Sequence, residues 1–239
     1  TSFYCAIMNS MKKYAIMLIL IGFFGMTTGV FAATTTKKTS AKSSTKTITK
    51  PLESIFYYIP GKSAFASIQS NADKITTLAP QAYTVNEKGE LKGSLSAQAT
   101  ELITKNNIKL MPLIANQGFS QTIIHTILVS PELQNKVVDQ LITEAQVKNY
   151  IGWQFDFERI PATDRDAYSA FVEYAANKFK ANKLKFSVAI LGRISEKAED
   201  LPPGSWDSWS GVYDYKRIGK AADFVTLMAY DMPDSMGPV

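Results

Sequence analysis

Residues 152–158 read Gly-Trp-Gln-Phe-Asp-Phe-Glu, and this stretch decides how the chain folds. Side chains alternate between the two faces of a β-strand, so Gln154, Asp156 and Glu158 share one face and the three aromatic side chains share the other. In a barrel of parallel strands, the aromatic face packs under the outer helices and the polar face points to the barrel axis. The stretch therefore predicts a parallel strand that ends in two carboxylates at the catalytic end of a barrel.

The two carboxylates have two interpretations. Asp156 and Glu158 are two residues apart, which separates their Cα atoms by roughly 6 to 7 Å on one face of a strand. Crowded like charges raise the pKa of one group, which keeps a carboxylic acid protonated near neutral pH and able to act as a general acid. Alternatively, both acids lie in a solvated loop that begins after the strand. The alternating aromatic side chains favour the first interpretation.

The rest of the chain alternates apolar runs with helix-like stretches, which is typical of parallel βα units. A helix is predicted over 164–181 with Thr163 as its N-cap, and another begins after Ser130 with Pro131 at its first position. The predicted fold class is α/β, a (β/α)8 TIM barrel that is expected to be incomplete, because a closed barrel needs eight units. The six candidate strands cover residues 54–59, 75–85, 109–115, 150–157, 185–191 and 223–230.

Several motifs, in the right order, resemble glycoside hydrolase family 18, the chitinase-like enzymes. The family signature D-G-x-D-x-D-x-E is similar to residues 151–158, and Leu-Met-Ala-Tyr-Asp at 227–231 resembles the later Met-x-Tyr-Asp strand. Residues 79–86 and 110–116 resemble the second and third strands of the bacterial, spore-wall-associated branch. Two positions depart from the signature, since Ile151 replaces its first acid and Gln154 its middle acid. Gln154 cannot share a proton with Asp156 or repel it as a carboxylate would.

The resemblance implies a retaining, substrate-assisted hydrolysis of polymers that carry 2-acetamido sugars, one of the exceptions to the two-carboxylate scheme. Glu158 would protonate the glycosidic oxygen, Asp156 would orient the attacking N-acetyl group, and Tyr230 would donate a hydrogen bond to that group. It implies no cofactor and no metal. The substrate-binding candidates are Gln154, Asp231, Asn116, Tyr83 and Trp206. Trp206 and its neighbour Trp209 can stack on sugars or simply fix their loop, and both alternatives stay open.

The first residues predict export. Met11 begins a charged start and an apolar run that ends in small residues, so 11–32 is interpreted as a secretory signal peptide within an upstream segment 1–32. An uncleaved anchor is the alternative. Residues 33–51 are rich in Thr, Ser and Lys and are expected to be a disordered linker, with the catalytic domain at 52–239. The expected location is secreted or cell-wall associated.

Charge and composition limit the kinds of partner and metal that the domain can bind. The chain carries 26 basic and 21 acidic side chains, but seven lysines precede residue 52, which leaves 19 basic against 21 acidic side chains in the expected domain. A domain that is not basic is a poor nucleic-acid binder. One Cys and one His, His125, give no disulfide and no zinc cluster.

The expected partner is therefore an N-acetylglucosamine polysaccharide, chitin or peptidoglycan. We expect a protein that is monomeric when complete and that is not stably inserted in the membrane after signal cleavage. Three functions remain: a glycosidase, a chitinase-like carbohydrate-binding protein without strong activity, and a cell-wall docking protein.

Overall fold

The computed structural model of the chain describes residues 53–229, which belong to the unit Lys50–Val239. The expected signal peptide and linker, and the predicted site residues Tyr230 and Asp231, lie outside the described residues.

The described residues contain one sheet of eight strands. The strands are β1 Ile55–Tyr58, β2 Thr77–Val85, β3 Leu91–Gly93, β4 Lys109–Leu110, β5 Leu113–Asn116, β6 Gly152–Phe155, β7 Lys185–Leu191 and β8 Phe224–Met228. Six of them are parallel and run in the order β1-β2-β5-β6-β7-β8. The short strand β4 pairs parallel with β2, and β3 pairs antiparallel with β2. The sheet is a curled half-barrel, so the predicted parallel barrel frame of about six βα units is confirmed.

Six α-helices in the described part of the chain accompany the strands. Ser96, Ser120 and Ser130 cap three of them, each accepting a hydrogen bond from the backbone amide three residues later. Pro131 occupies the first turn of the helix Pro131–Lys148, as predicted. No helix within residues 53–229 is long and apolar enough to cross a membrane. The helices are α1 Lys62–Ser70, α2 Ala97–Lys105, α3 Gln121–Leu128, α4 Pro131–Lys148, α5 Arg165–Ala181 and α6 Tyr215–Ala221.

The predicted N-cap of α5 was wrong. A 3-10 turn, Ala162–Asp164, precedes the helix, so Asp164 rather than Thr163 holds the N-cap position, and it makes no side-chain cap bond. The carboxylate of Asp164 is instead 2.7 Å from Nδ1 of His125 on α3. His125, which sequence patterns left without a partner, therefore ties the loop before α5 to a neighbouring helix.

The aromatic face of β6 packs under the helices, as the alternation predicts. Trp153, Phe155 and Phe157 are fully buried. The indole N–H of Trp153 donates to a backbone carbonyl of α4, at Leu141, over 2.8 Å. The ring of Phe155 stacks on that of Phe171 from α5 at 5.3 Å between centroids. Because these rings fill the space between sheet and helices, the opposite face of β6 must point into the curl of the sheet.

β6 is shorter than the sequence predicts at both ends. It ends at Phe155, although the amide of Asp156 still donates to Ile114 of β5 over 2.9 Å. Asp156 and Glu158 therefore lie just past the strand, at the carboxyl end of the sheet. At the other end Gly152 is required, since a Cβ there would lie 1.9 Å from the carbonyl oxygen of Lys185 on β7.

Two further details escaped the sequence patterns. The predicted strand over 109–115 is two strands separated by Met111 and Pro112, and the carbonyl of Pro112 accepts a hydrogen bond from the backbone amide of Gln154 at 3.0 Å. A hairpin also follows β2, in which the Asn86 side chain accepts from the amide of Glu90 and β3 returns antiparallel.

Candidate active site

Gln154 joins the polar side chains on the inner face of the sheet. Its carbonyl oxygen accepts from the hydroxyl of Tyr57 on β1 at 2.8 Å. Its amide nitrogen lies 2.7 Å from the hydroxyl of Ser187 on β7 and 2.9 Å from that of Thr226 on β8. Gln154 is only 1% exposed. The structure therefore shows Gln154 as the centre of an internal hydrogen-bond network, with its amide already engaged by three side chains.

Asp156 lies next along the same face and is 4% exposed. Nε2 of Gln81 on β2 donates a long hydrogen bond, 3.5 Å, to the carboxylate of Asp156. Burial raises the pKa of Asp156 to about 6, and the Gln81 hydrogen bond offsets part of that rise. Asp156 borders a small cavity of about 110 Å³. The lining of this cavity includes Tyr57, Gln81, Leu113, Asp156, Thr226 and Met228.

Glu158 is half-buried, and its backbone is held by Asn116 at the end of β5. The Asn116 amide nitrogen donates to the Glu158 carbonyl and its oxygen accepts from the Glu158 amide, both at 3.1 Å. The same nitrogen also donates to the carbonyl of Ser120 at 3.0 Å. Because Asn116 is 1% exposed and already uses both ends of its side chain, it positions the acid-bearing backbone. The structure thus gives this predicted substrate-contact residue a positioning role.

Tyr213 adds a second anchor next to the two acids, and no sequence pattern singled it out. It is fully buried, and its hydroxyl donates to the carbonyl of Phe157 at 3.1 Å. Burial first, and then the nearby negative charges of Glu158 and Asp156, raise the pKa of Tyr213. Both carboxylates therefore lie close to one phenol, and the backbone between them is fixed from two sides.

Tyr83 does not join this group. Its hydroxyl lies 2.7 Å from that of Tyr150 and donates to Glu144 of α4 at 3.0 Å. Its ring meets that of Trp153 edge-on at 5.1 Å. A β-bulge in β2 between Gln81 and Tyr83 shifts the register at this point, and Tyr83 packs on the helix side of the sheet. A depression of about 590 Å³ beside Tyr83 and Glu144 is therefore separate from the cavity at Asp156.

The two tryptophans after β7 differ in their surroundings. Trp206 lies between two guanidinium groups, those of Arg165 at 5.6 Å and Arg193 at 5.3 Å from its ring centroid. This arrangement fixes its loop. Trp209 is 43% exposed, and its ring lies 5.6 Å from the guanidinium of Arg159, the residue after Glu158. Trp209 is thus an exposed tryptophan next to the residue that follows Glu158.

The structure brings Gln154, Asp156 and Glu158 together at one end of the sheet, with Asn116 behind them. Three side chains at this site were missed by sequence reasoning: Tyr57, Gln81 and Tyr213. The first two could have been found from strand alternation, because each sits on a predicted strand facing the same interior as Gln154. Within residues 53–229, no three His, Cys, Asp or Glu side chains converge as a metal site would require.

Comparison with known proteins finds a matching family model and several related proteins. A model of glycosyl hydrolases family 18 matches residues 18–237. The uncharacterized glycosylase YvbX of Bacillus subtilis is 27% identical over 180 residues, 73% of this chain and 50% of YvbX. The cortical fragment-lytic enzyme of Bacillus subtilis is 25% identical over 167 residues, 69% of this chain and 37% of that enzyme.

A solved structure shows the same fold. The spore cortex-lytic enzyme SleL of Bacillus megaterium QM B1551 matches with a TM-score of 0.66 at 26% identity. The match covers 74% of this chain and 42% of that chain. The chain therefore spans half or less of the length of these relatives.

Proposed function

This chain belongs to glycosyl hydrolase family 18, and from that membership and the site geometry we propose that it is an exported glycosidase. Its substrate is a β-1,4-linked polymer that contains N-acetylglucosamine, and its mechanism is retaining and substrate-assisted. Glu158 is the general acid and base. The observation that carries the proposal is the arrangement of one deeply buried carboxyl, Asp156, beside a small cavity, with Glu158 held two residues further along by Asn116.

The proposed roles follow from the two environments. Glu158 lies in a fixed loop and is half-buried, so it can meet the glycosidic oxygen of a polymer that crosses the open end of the sheet. Asp156 lies at a cavity of about 110 Å³, which suits a small group such as an acetamido group. In its ionised form Asp156 orients that group and stabilises the positive charge that develops as its carbonyl attacks the sugar. Because the pKa of Asp156 is about 6, this role requires a pH near or above 6.

Tyr230 and Asp231 complete the proposed site. Tyr230 donates a hydrogen bond to the acetamido carbonyl, and Asp231 contacts the substrate. Tyr230 and Asp231 come two and three residues after the end of β8 in the sequence. The carboxyl ends of parallel strands meet at one edge of a sheet, so this position in the chain supports the assignment.

Peptidoglycan is the preferred polymer in this proposal, with chitin as the alternative. The support comes from the cortical fragment-lytic and cortex-lytic relatives, whose names refer to the spore cortex. The apolar run after Met11 supports export, and the proposed protein is secreted or cell-wall associated. It works without a cofactor and as a monomer when complete.

A carbohydrate-binding protein without strong activity is the second candidate function. It is favoured by Gln154, which replaces an acid of the family signature with an amide that is engaged by neighbouring side chains. Against it stand the retained Glu158 and the backbone clamp that fixes this residue, because binding alone does not require a positioned acid.

The substitution Glu158→Gln in the full-length protein tests the proposal. It removes the acid and keeps the shape, so we expect turnover to fall on the order of 100-fold or more, measured as reducing ends released from chitin oligomers and from peptidoglycan. The matched control is Glu199→Gln, because Glu199 is exposed and lies in a turn that contacts none of the site residues described above. Activity of Glu158→Gln within a few-fold of the parent would show that Glu158 is not the proton donor.

The substrate provides a second test. A fully deacetylated polymer lacks the proposed nucleophile and should not be cleaved, whereas a thiazoline analogue of the cyclised intermediate should inhibit strongly. Cleavage of the deacetylated polymer at a comparable rate would contradict the substrate-assisted mechanism even if Glu158 proved essential.

A further inference from the structure

Arg159 differs from the other three arginines of the chain. Arg165, Arg193 and Arg217 each lie within salt-bridge distance of at least one carboxylate. Arg165 and Arg193 also donate to backbone carbonyls and help to hold the loop after β7. In the part of the chain that the structure describes, Arg159 has no acidic partner, and its guanidinium contacts the ring of Trp209. Within residues 53–229, no acidic side chain forms a salt bridge that neutralises the charge of Arg159.

The position of Arg159 is fixed although its side chain is exposed. It follows Glu158 directly, and the carbonyls of the two preceding residues are held by Tyr213 and Asn116. The next residue, Ile160, is 1% exposed and so anchors the other side. Between these anchors Arg159 has a φ of 55°, in the left-handed region that arginine rarely adopts. A residue held in such a conformation at the mouth of a site is a reasonable candidate for function.

Two acidic residues lie close to Arg159 in the sequence. Glu158 is its neighbour in sequence, and Asp156 is three residues before it. A glycan that carries carboxylates would be repelled by these two acids whenever they are ionised. Arg159 is the cation placed to offset that repulsion, and its planar group can bind a carboxylate through two parallel hydrogen bonds. Trp209 limits the motion of the guanidinium and offers a ring face next to it.

We propose that Arg159 binds a carboxylate of the glycan and so makes the protein prefer an acidic amino-sugar polymer to a neutral one. This inference rests on the proposed function. Chitin is neutral, whereas peptidoglycan alternates N-acetylglucosamine with its 3-O-lactyl ether, which carries either a free carboxylate or a short peptide that ends in carboxylates. The lactyl group and the peptide both present a carboxylate to Arg159, and the experiment below uses different substrates to distinguish them.

The experiment compares the full-length protein with Arg159→Gln on three substrates. These are chitin oligomers, peptidoglycan strands from which the peptides have been removed to expose the lactyl carboxylate, and strands that keep their peptides. The measured quantity is the ratio of kcat/KM for each acidic substrate to kcat/KM for chitin. We expect Arg159→Gln to lower this ratio by about tenfold for at least one acidic substrate, as loss of a charged hydrogen bond does. Added salt should also lower this kcat/KM ratio for the parent protein, because salt screens the attraction between Arg159 and a carboxylate.

Lys183→Gln is the matched control. Lys183 is exposed and has a φ of 59°, so the substitution makes the same change of charge on the same kind of backbone. Lys183 precedes β7 at the opposite end of the strands from Glu158. We expect this variant to leave the ratio unchanged.

The outcomes are separable. A fall on peptide-free strands identifies the lactyl carboxylate as the ligand, and a fall confined to peptide-bearing strands identifies the peptide carboxylates. A ratio that stays within twofold of the parent for both acidic substrates overturns the proposal, including the case in which activity falls equally on all three. If the parent cleaves none of the substrates, the proposed function itself fails.

Discussion

Replacing Asp156 with Asn should make the protein more stable and less active. A buried carboxyl with a pKa of about 6 is more easily protonated than an ordinary aspartate, whose pKa is 3.8, so its ionisation costs folding free energy. The difference of roughly 2 pKa units corresponds to about 3 kcal/mol at neutral pH. An amide has nearly the same shape and no charge to desolvate, so Asp156→Asn should gain up to about 3 kcal/mol in the free energy of unfolding at pH 7.

The stability gain of Asp156→Asn should increase with pH. The folded protein holds the Asp156 proton more tightly than the unfolded chain does. The stabilising effect of that proton is therefore fully present below about pH 4 and is lost as the pH rises through about 6. The stability gain of Asp156→Asn should thus be only about 0.5 kcal/mol at pH 4 and should reach its plateau near pH 7.

Urea unfolding of both proteins from pH 4 to pH 8 measures this difference directly. Asp73→Asn is the control, since Asp73 is exposed and makes no ion pair or side-chain hydrogen bond within residues 53–229. Hydrolysis of chitin oligomers should fall on the order of 100-fold in Asp156→Asn, because an amide cannot stabilise the developing positive charge. A stability difference that stays flat between pH 4 and pH 8, or a variant less stable than the parent at pH 7, would refute the reasoning.

Two further substitutions test how the site is held. Asn116→Asp keeps the acceptor for the Glu158 amide but loses the hydrogen bonds donated to the carbonyls of Ser120 and Glu158. We therefore expect kcat to fall about tenfold with little change in KM. An effect on KM alone would indicate that Asn116 contacts the substrate instead. Gly152→Ala places a Cβ 1.9 Å from a backbone oxygen of β7 and should cost about 3 kcal/mol in thermal or urea unfolding. Gly219→Ala on α6, where nothing lies within 4 Å, should instead be neutral or slightly stabilising, and equal effects of the two alanines would contradict the close-approach argument.

The sheet could be predicted from sequence because burial on both faces leaves long apolar runs, and because β6 alternates so clearly. The boundaries were less predictable. β6 stops before Asp156 because the chain turns there to reach Arg159 in a left-handed conformation, and no residue type in 155–159 signals that turn. The break at Met111 and Pro112 does not follow from proline alone, because Pro80 lies within β2 without interrupting that strand.

The site was predictable where one strand supplies it and less so where several strands meet. Gln154, Asp156 and Glu158 follow from a single alternation. The location of Tyr83 does not follow from alternation. The bulge after Gln81 shifts the register of β2 by one position, and a shift of one position moves a side chain to the other face of the sheet. Tyr213 lies far from the motif in sequence, and its contact with Phe157 depends on how the loop after β7 folds back, which local patterns do not encode.

The hydrogen bonds of Gln154 also have a consequence for the order of folding. Its partners Tyr57 and Thr226 belong to the first and last strands of the described sheet, and these two bonds close intervals of 97 and 72 residues. Contacts across such distances form late, because the loop entropy must be spent before the bond is gained. The interior beside Asp156 can therefore be complete only after both end strands have docked. Cooperative unfolding from either end would thus dismantle this site along with the sheet.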